Sequence, residues 1–215
     1  MRWGLLGGTF DPIHFGHLRC AEEVRELFHL DRVIFIPAAR QPLKTAQTTS
    51  SFPDRYRMVE RAIGANSFFA VSDVEATRGG VSYSIDTVRY FLDQGITGDA
   101  LYFIVGQDAF DDIGRWKQYN DLLSLCNFVV MTRPGYDLRK LPDVLTLDAA
   151  SQFVYDTQQD GFRGPAGRYI YFRALTLLDI SATDIRTRVR QGRSIMYLVP
   201  DAVRQYLAEQ KLFRQ

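Results

Sequence analysis

Two histidines three positions apart, His14 and His17, stand near the end of a stretch that opens on paired glycines, Gly7-Gly-Thr-Phe-Asp-Pro-Ile-His-Phe-Gly-His-Leu18. On the first turn of a helix that spacing puts both imidazoles on one face. Gly7 and Gly8 let the backbone turn sharply and approach a ligand with no Cβ in the way, Gly16, between the two histidines in sequence, also allows close approach, and Pro12 restricts the loop. Beside a helix N-terminus, two imidazole donors suit a phosphoryl group whose charge grows in a transition state. Taken alone, the pair reads more readily as one packed or capping histidine and one solvated histidine than as a ligand site. The short apolar run ahead of it, Trp3-Gly-Leu-Leu6, turns the reading toward a ligand. Strand, glycine loop and amphipathic segment, in that order, are how α/β folds bring backbone N–H groups to a phosphate. Metal binding is the weaker rival, because only His29 lies nearby and the chain has two cysteines, Cys20 and Cys126.

The elements that must position these residues follow in order. Apolar residues at Leu18, Ala21, Val24, Leu27 and Phe28 have helical spacing, and the β-branched run Arg32-Val-Ile-Phe-Ile-Pro37 then predicts a strand parallel to the first. Residues 38–53 lack periodicity, so they form either a solvated loop or a lid whose Lys44 reaches ligand phosphates. A helix is expected over 54–63 with Asp54 as its cap, a short strand over 69–71, and, after the Gly79-Gly80 turn, a helix continuing to Leu92 that Ser84 caps. Ala100-Leu-Tyr-Phe-Ile-Val105 is a continuous apolar run suited to a central parallel position. Asp108 at its C-terminal end is placed where open α/β sheets bind ligands, a candidate for a ribose hydroxyl or a metal-side contact. Another strand is expected over 128–132, with Arg133 at its end pairing a carboxylate or holding a phosphate. Segment 136–168, with strand-like 144–147 and a Gln-Gln-Asp-Gly turn, is assigned no role, and 169–178 returns to the sheet. Ser181 with Asp184 forms a capping box, Asp184 and Arg188 a surface pair, and Arg190 and Arg193 are solvated. Arg186 is different: near a helix N-terminus a cation opposes the macrodipole, which calls for an anion shared with the helix end.

A chain of 215 residues suits one domain, with a C-terminal helical segment at about 181–215. The expected fold class is α/β, a Rossmann-like doubly wound parallel sheet with that small helical part. A formal net charge of +1 supplies no global field for nucleic acid or an anionic membrane. Without a leader-like segment, a long apolar run or a disulfide framework, the chain reads as soluble and cytoplasmic. Its oligomeric state stays open.

The motif Gly-x-Phe-x-Pro-x-His-x-Gly-His at residues 8–17 resembles the HxGH nucleotidyltransferase superfamily related to class I aminoacyl-tRNA synthetases. The longer Gly-Gly-Thr-Phe-Asp-Pro-x-His-x-Gly-His is similar to the bacterial nicotinate-nucleotide adenylyltransferase family. Ile180-Ser-Ala-Thr-Asp-Ile-Arg186 resembles that family's second signature, with Ala182 where serine is commoner. Ser82-Tyr-Ser-Ile-Asp-Thr87 resembles its Ser-Tyr-Thr-x-Asp-Thr segment, and Arg133-Pro-Gly135 also matches. Gln107 departs from the usual Gly-Ala-Asp, and Leu43 from a Pro-His-Lys triplet.

The resemblance implies transfer of the adenylyl group of ATP, with Mg²⁺, to nicotinate mononucleotide, giving nicotinate adenine dinucleotide and pyrophosphate in NAD biosynthesis. It implies ATP contacts at Gly8, Thr9, Phe10, His14, His17, Lys44, Gly106, Asp108, Ser181, Thr183 and Arg186. His17 would stabilise the α-phosphate, and Ser181, Thr183 and Arg186 would hold the departing phosphates. Nicotinate mononucleotide would meet Trp116, Thr87, Arg133 and the backbone N–H groups at and after Lys117. A carboxylate accepts at both oxygens, so a donor-lined pocket prefers the acid to the amide. From the residues alone, Trp116 is also readable as a half-buried core aromatic and Thr87 as a helix residue bonding its own backbone. Phosphopantetheine adenylyltransferase, usually with threonine in place of His14, and a non-catalytic nucleotide sensor are the rival readings.

Overall fold

The apolar run at the N-terminus forms β1 (Trp3–Gly8), followed by α1 (Phe15–Leu27), β2 (Arg32–Pro37), α2 (Phe52–Ile63), β3 (Phe69–Val71), α3 (Val74–Arg78), α4 (Ser84–Asp93), β4 (Leu101–Gly106) and α5 (Gln107–Phe110). Then come α6 (Tyr119–Leu125), β5 (Asn127–Thr132), β6 (Val154–Asp156), β7 (Gly161–Arg163), β8 (Tyr169–Ala174), α7 (Ala182–Arg190) and α8 (Asp201–Glu209). These elements belong to a computed structural model that describes all residues except 41–49, 133–140, 142–144, 146–149, 177 and 215. The expectations for Lys44, Arg133 and most of 144–147 therefore lie outside the described residues.

The strands form one sheet in the order β3-β2-β1-β4-β5-β8-β7-β6. Its first six strands pair in parallel, and β7 and β6 add an antiparallel edge. The order runs outward in both directions from β1 and β4, so the crevice at the C-terminal ends of that pair is the topological switch point. Leu5 of β1 stands opposite Ile34 of β2 and Phe103 of β4.

Side-chain alternation divides the interior into two cores. Leu6, Tyr102, Ile104 and Val129 face one core, with α1, α2, α7 and α8. Leu5, Phe103, Val105 and Val130 face the other, with α3, α4 and α6. This is the doubly wound α/β architecture. The C-terminal helices are part of the first core, through Ile185, Val203, Tyr206 and Leu207. Tyr206 Oη also donates to Asp54 Oδ1 on α2 at 2.8 Å.

Two expected caps are corrected. Ser51, not Asp54, caps α2: its Oγ accepts the Asp54 N–H at 3.3 Å, and Pro53 lies in the first turn, where its missing N–H is harmless. Tyr83 is the N-cap of α4 and makes no side-chain cap bond, so Ser84 lies inside the helix. The Ser181 cap on α7 is as expected, accepting the Asp184 N–H at 3.1 Å, and Arg188 pairs with Asp184 at 2.6 Å. In the segment assigned no role, β6 and β7 form a hairpin against β8.

Candidate active site

Between β1 and α1 the backbone is shaped by its own side chains. Phe10 has φ 51° and is buried, its ring folded back over Gly8; a Cβ on Gly8 would meet that ring at 2.8 Å. The same ring meets the His17 imidazole edge-on at 5.1 Å. His14 is not on the helix but is the N-cap of α1, in extended backbone at φ −147°. The two imidazoles still share a face, stacked with centroids 3.7 Å apart. Gly16 makes that possible, because a Cβ there would lie 3.0 Å from His14 Nδ1.

The His14 N–H donates to His17 Nδ1 at 3.3 Å. With Nδ1 accepting, the neutral ring carries its proton on Nε2, as a fixed donor at the N-terminus of α1. Burial pushes the His17 imidazole well below its usual 6.5, and the charge of His14 pushes the same way. Burial alone brings His14 to about 4. Both are therefore neutral donors at pH 7, not cations. His14 Nδ1 is buried with no hydrogen-bond partner among the described residues.

A pH dependence follows. The unfolded chain binds a proton at His14 near 6.5 and the folded one only near 4, so this group favours the folded state above 6.5 and loses that contribution as pH falls toward 4. Urea denaturation between pH 7 and pH 5 should lose roughly 2 kcal/mol from this source, and His14→Gln should flatten the slope. A slope unchanged by the substitution would contradict it.

Arg186 arrives from α7. Its Nη1 donates to the Asp11 carbonyl at 2.8 Å and lies 4.0 Å from the Asp11 carboxylate, while Nη2 donates to Thr183 Oγ1 at 3.1 Å. The buried Asp11 carboxylate accepts the Ser50 N–H, its oxygens at 3.2 and 3.3 Å. Gly8, Thr9, Phe10, His14, His17, Thr183 and Arg186 thus gather about one loop at the end of β1, with Ser181 capping the same helix as Arg186. Gly106 and Asp108 stand at the end of neighbouring β4, and nothing lies within 4 Å of a Cβ built on Gly106. Among the described residues no cluster of three or more His, Cys, Asp or Glu is placed to hold a metal ion.

On the other core's side, Lys117 Nζ pairs with Asp86 Oδ2 at 3.1 Å and lies over the Tyr83 ring, joining the Trp116 turn to the start of α4. Trp116 is partly buried, edge-on to Phe103 at 6.1 Å. The role expected of Thr87 changes. It is 1% exposed, and its hydroxyl lies 3.0 Å from Glu75 Oε1, 3.4 Å from the Tyr83 carbonyl and 3.3 Å from Arg78 Nη1. The hydroxyl is engaged within the protein, by the buried Glu75 carboxylate and, as a helix residue bonding its own backbone, by the Tyr83 carbonyl. Thr87→Val leaves Glu75 short of a donor and should lower stability by about 1–3 kcal/mol in urea denaturation. A loss under about 0.5 kcal/mol would mean that the bond contributes nothing.

The sequence assigned no role to Glu75, Ser82 or Arg55. Ser82 Oγ accepts the N–H groups of Ala39 and Arg40, each at 3.1 Å, tying the end of β2 to the approach to α4. Arg55 carried a signal: it falls on the apolar stripe with Met58, Val59 and Ala62.

A parallel sheet with a histidine-bearing glycine loop at its switch point and an arginine brought to that loop by a C-terminal helix defines a nucleotidyltransferase. The cytidylyltransferase-like family model matches residues 5–188, and the chain belongs to that family. Within it, the chain belongs to the nicotinate-nucleotide adenylyltransferases. It is 49% identical over 213 residues, 99% of this chain and 98% of the relative, to a protein of Geobacter sp. (strain M21) named "probable nicotinate-nucleotide adenylyltransferase". A protein of the same name from Geotalea daltonii is 48% identical over the same shares. Among solved structures, the Plasmodium falciparum nicotinic acid mononucleotide adenylyltransferase complexed with NaAD shares the fold with TM-score 0.69 and 17% identity, covering 99% of this chain and 97% of that one.

Proposed function

We propose that this protein transfers the adenylyl group of ATP to the 5′-phosphate of nicotinate mononucleotide, releasing pyrophosphate and nicotinate adenine dinucleotide for NAD biosynthesis. The observation that carries it is the bond from the His14 N–H to His17 Nδ1, which leaves His17 Nε2 to donate at the N-terminus of α1, beside a loop that Arg186 also grips. The names of relatives matching nearly the full chain support the choice of acceptor.

A phosphate oxygen of the acceptor attacks the α-phosphorus, the bond to the β-phosphate oxygen breaks, and pyrophosphate carries away the electron pair. Phosphate is a competent nucleophile at neutral pH, so catalysis is positioning and charge stabilisation, with no base required. His17 donates to the α-phosphate as its equatorial charge grows, His14 supports it, and Arg186, Thr183 and Ser181 hold the departing phosphates. Mg²⁺ enters with ATP as the counter-ion of its phosphates. Trp116 faces the pyridine ring, and backbone N–H groups from Lys117 onward meet its carboxylate, with Thr87 bracing that wall through Glu75. The reaction needs only small molecules, without nucleic acid or membrane, and belongs in the cytoplasm, where the two free, buried cysteines stay reduced. No helix among the described residues is long and apolar enough to cross a membrane.

Incubation with ATP, Mg²⁺ and, in turn, nicotinate mononucleotide, nicotinamide mononucleotide and phosphopantetheine, with pyrophosphate followed, tests the reading. Turnover with the nicotinate compound above the other two is expected. Silence with it, or faster turnover with another acceptor, overturns the proposal.

A further inference from the structure

Arg55 is a charged residue only 4% exposed, on a helix stripe otherwise given to apolar packing. A buried guanidinium is stable only when hydrogen-bonded, and an apolar residue of similar volume would serve packing alone at least as well. Its two bonds are to carbonyls outside its own helix: Nη1 donates to Thr9 at 2.9 Å and Nε to Ser50 at 3.2 Å. Its plane lies over the Phe52 ring, and the carboxylates of Asp11 and Glu75 supply the compensating charge.

The Thr9 carbonyl belongs to the peptide that leads into Phe10, whose left-handed φ of 51° is unfavourable for a residue with a Cβ and persists only where the surroundings impose it. The Phe10 ring is wedged among Gly8, Phe35 and the edge of His17. Arg186 grips the other end of the loop at the Asp11 carbonyl, and the Asp11 carboxylate holds the N–H of Ser50, whose carbonyl Arg55 holds. Two arginines from helices far apart in the chain thus clamp one short loop.

We propose that Arg55 is a positioning residue for adenylyl transfer: by holding the Thr9 carbonyl it sets Phe10 and, through the Phe10 ring, the imidazole of His17. The proposal rests on the adenylyl-transfer reading above, and it makes Arg55 act on the catalytic donor without touching ATP.

The test compares wild type, Arg55→Met, which keeps the aliphatic stem, and Arg55→Lys, which can reach one carbonyl but not both. Three readouts are taken: kcat, KM for ATP, and the ring resonances of His17, assigned among only three histidines. For Arg55→Met, kcat should fall by about 10–100-fold, as for a small misplacement of a catalytic group, with KM for ATP nearly unchanged and the His17 resonances shifted. Arg55→Lys should recover part of kcat and part of the shift. A folded Arg55→Met with wild-type kcat, or with reduced kcat but unmoved His17 resonances, overturns the proposal. If Arg55→Met does not fold, Arg55→Lys decides alone: lower kcat with a shifted His17 ring supports the proposal, and any other result overturns it. A wild-type protein that transfers no adenylyl group to any acceptor sinks the functional reading itself, whereas active wild type with indifferent variants sinks only this inference.

Discussion

His17→Ala lowers kcat by about 10²–10³ and leaves ATP binding within a few-fold, the loss expected for one preorganised transition-state donor. His17 accepts the His14 N–H through Nδ1, which leaves Nε2–H as the fixed donor. Alanine also removes the acceptor that seats the start of α1, so a second variant separates the two effects. His17→Asn places an oxygen near the former Nδ1 and can keep the His14 bond, but it has no group where Nε2 was. It should hold more stability than the alanine variant and lose as much kcat. Steady-state kinetics and urea denaturation on the pair check this, and an unchanged kcat in either would remove His17 from the chemistry. Because the ring is neutral at pH 7, no imidazole ionisation near 6.5 should govern kcat/KM of the free enzyme.

Arg186→Ala weakens ATP and pyrophosphate binding by roughly 10–100-fold, the equivalent of one to two charge-assisted hydrogen bonds, and AMP binding far less. Only the first two ligands present the phosphates that leave. The guanidinium also holds the Asp11 carbonyl, so some loss common to all three ligands is expected from loop movement. Calorimetric titration with each ligand gives the difference that matters. Equal weakening of all three would reduce Arg186 to a brace for the loop.

The parts of this molecule legible in the sequence are those where local chemistry and tertiary packing agree. The opening strand, glycine loop and helix declared themselves, as did the apolar run of β4 and the Ser181 cap. The hairpin of β6 and β7 did not, because strands of three residues carry almost no periodicity and are held by pairing with β8. Thr87 resembles a ligand contact in sequence, and only its burial beside Glu75, twelve residues away, engages its hydroxyl within the protein. Arg55 was overlooked because a charge in an amphipathic helix is read as a solvated face, although its place on the apolar stripe pointed inward. His14 was expected within the first turn, and a one-residue shift made it the cap without separating the two rings.

The clamp on the glycine loop has a consequence for synthesis. The bond from Arg186 to Asp11 spans 175 residues, so the glycine loop leaves the ribosome long before the arginine that completes it. At ordinary elongation rates of about 5–20 residues per second, the interval is roughly ten to thirty seconds. Over that time a growing chain lacks the residues assigned to the leaving phosphates, and it lacks Leu198, whose carbonyl accepts the Phe15 N–H beside His14 at 3.0 Å. A partly made or prematurely ended chain would thus capture nucleotide poorly and turn it over hardly at all, and activity would appear only when nearly the whole polypeptide has been delivered.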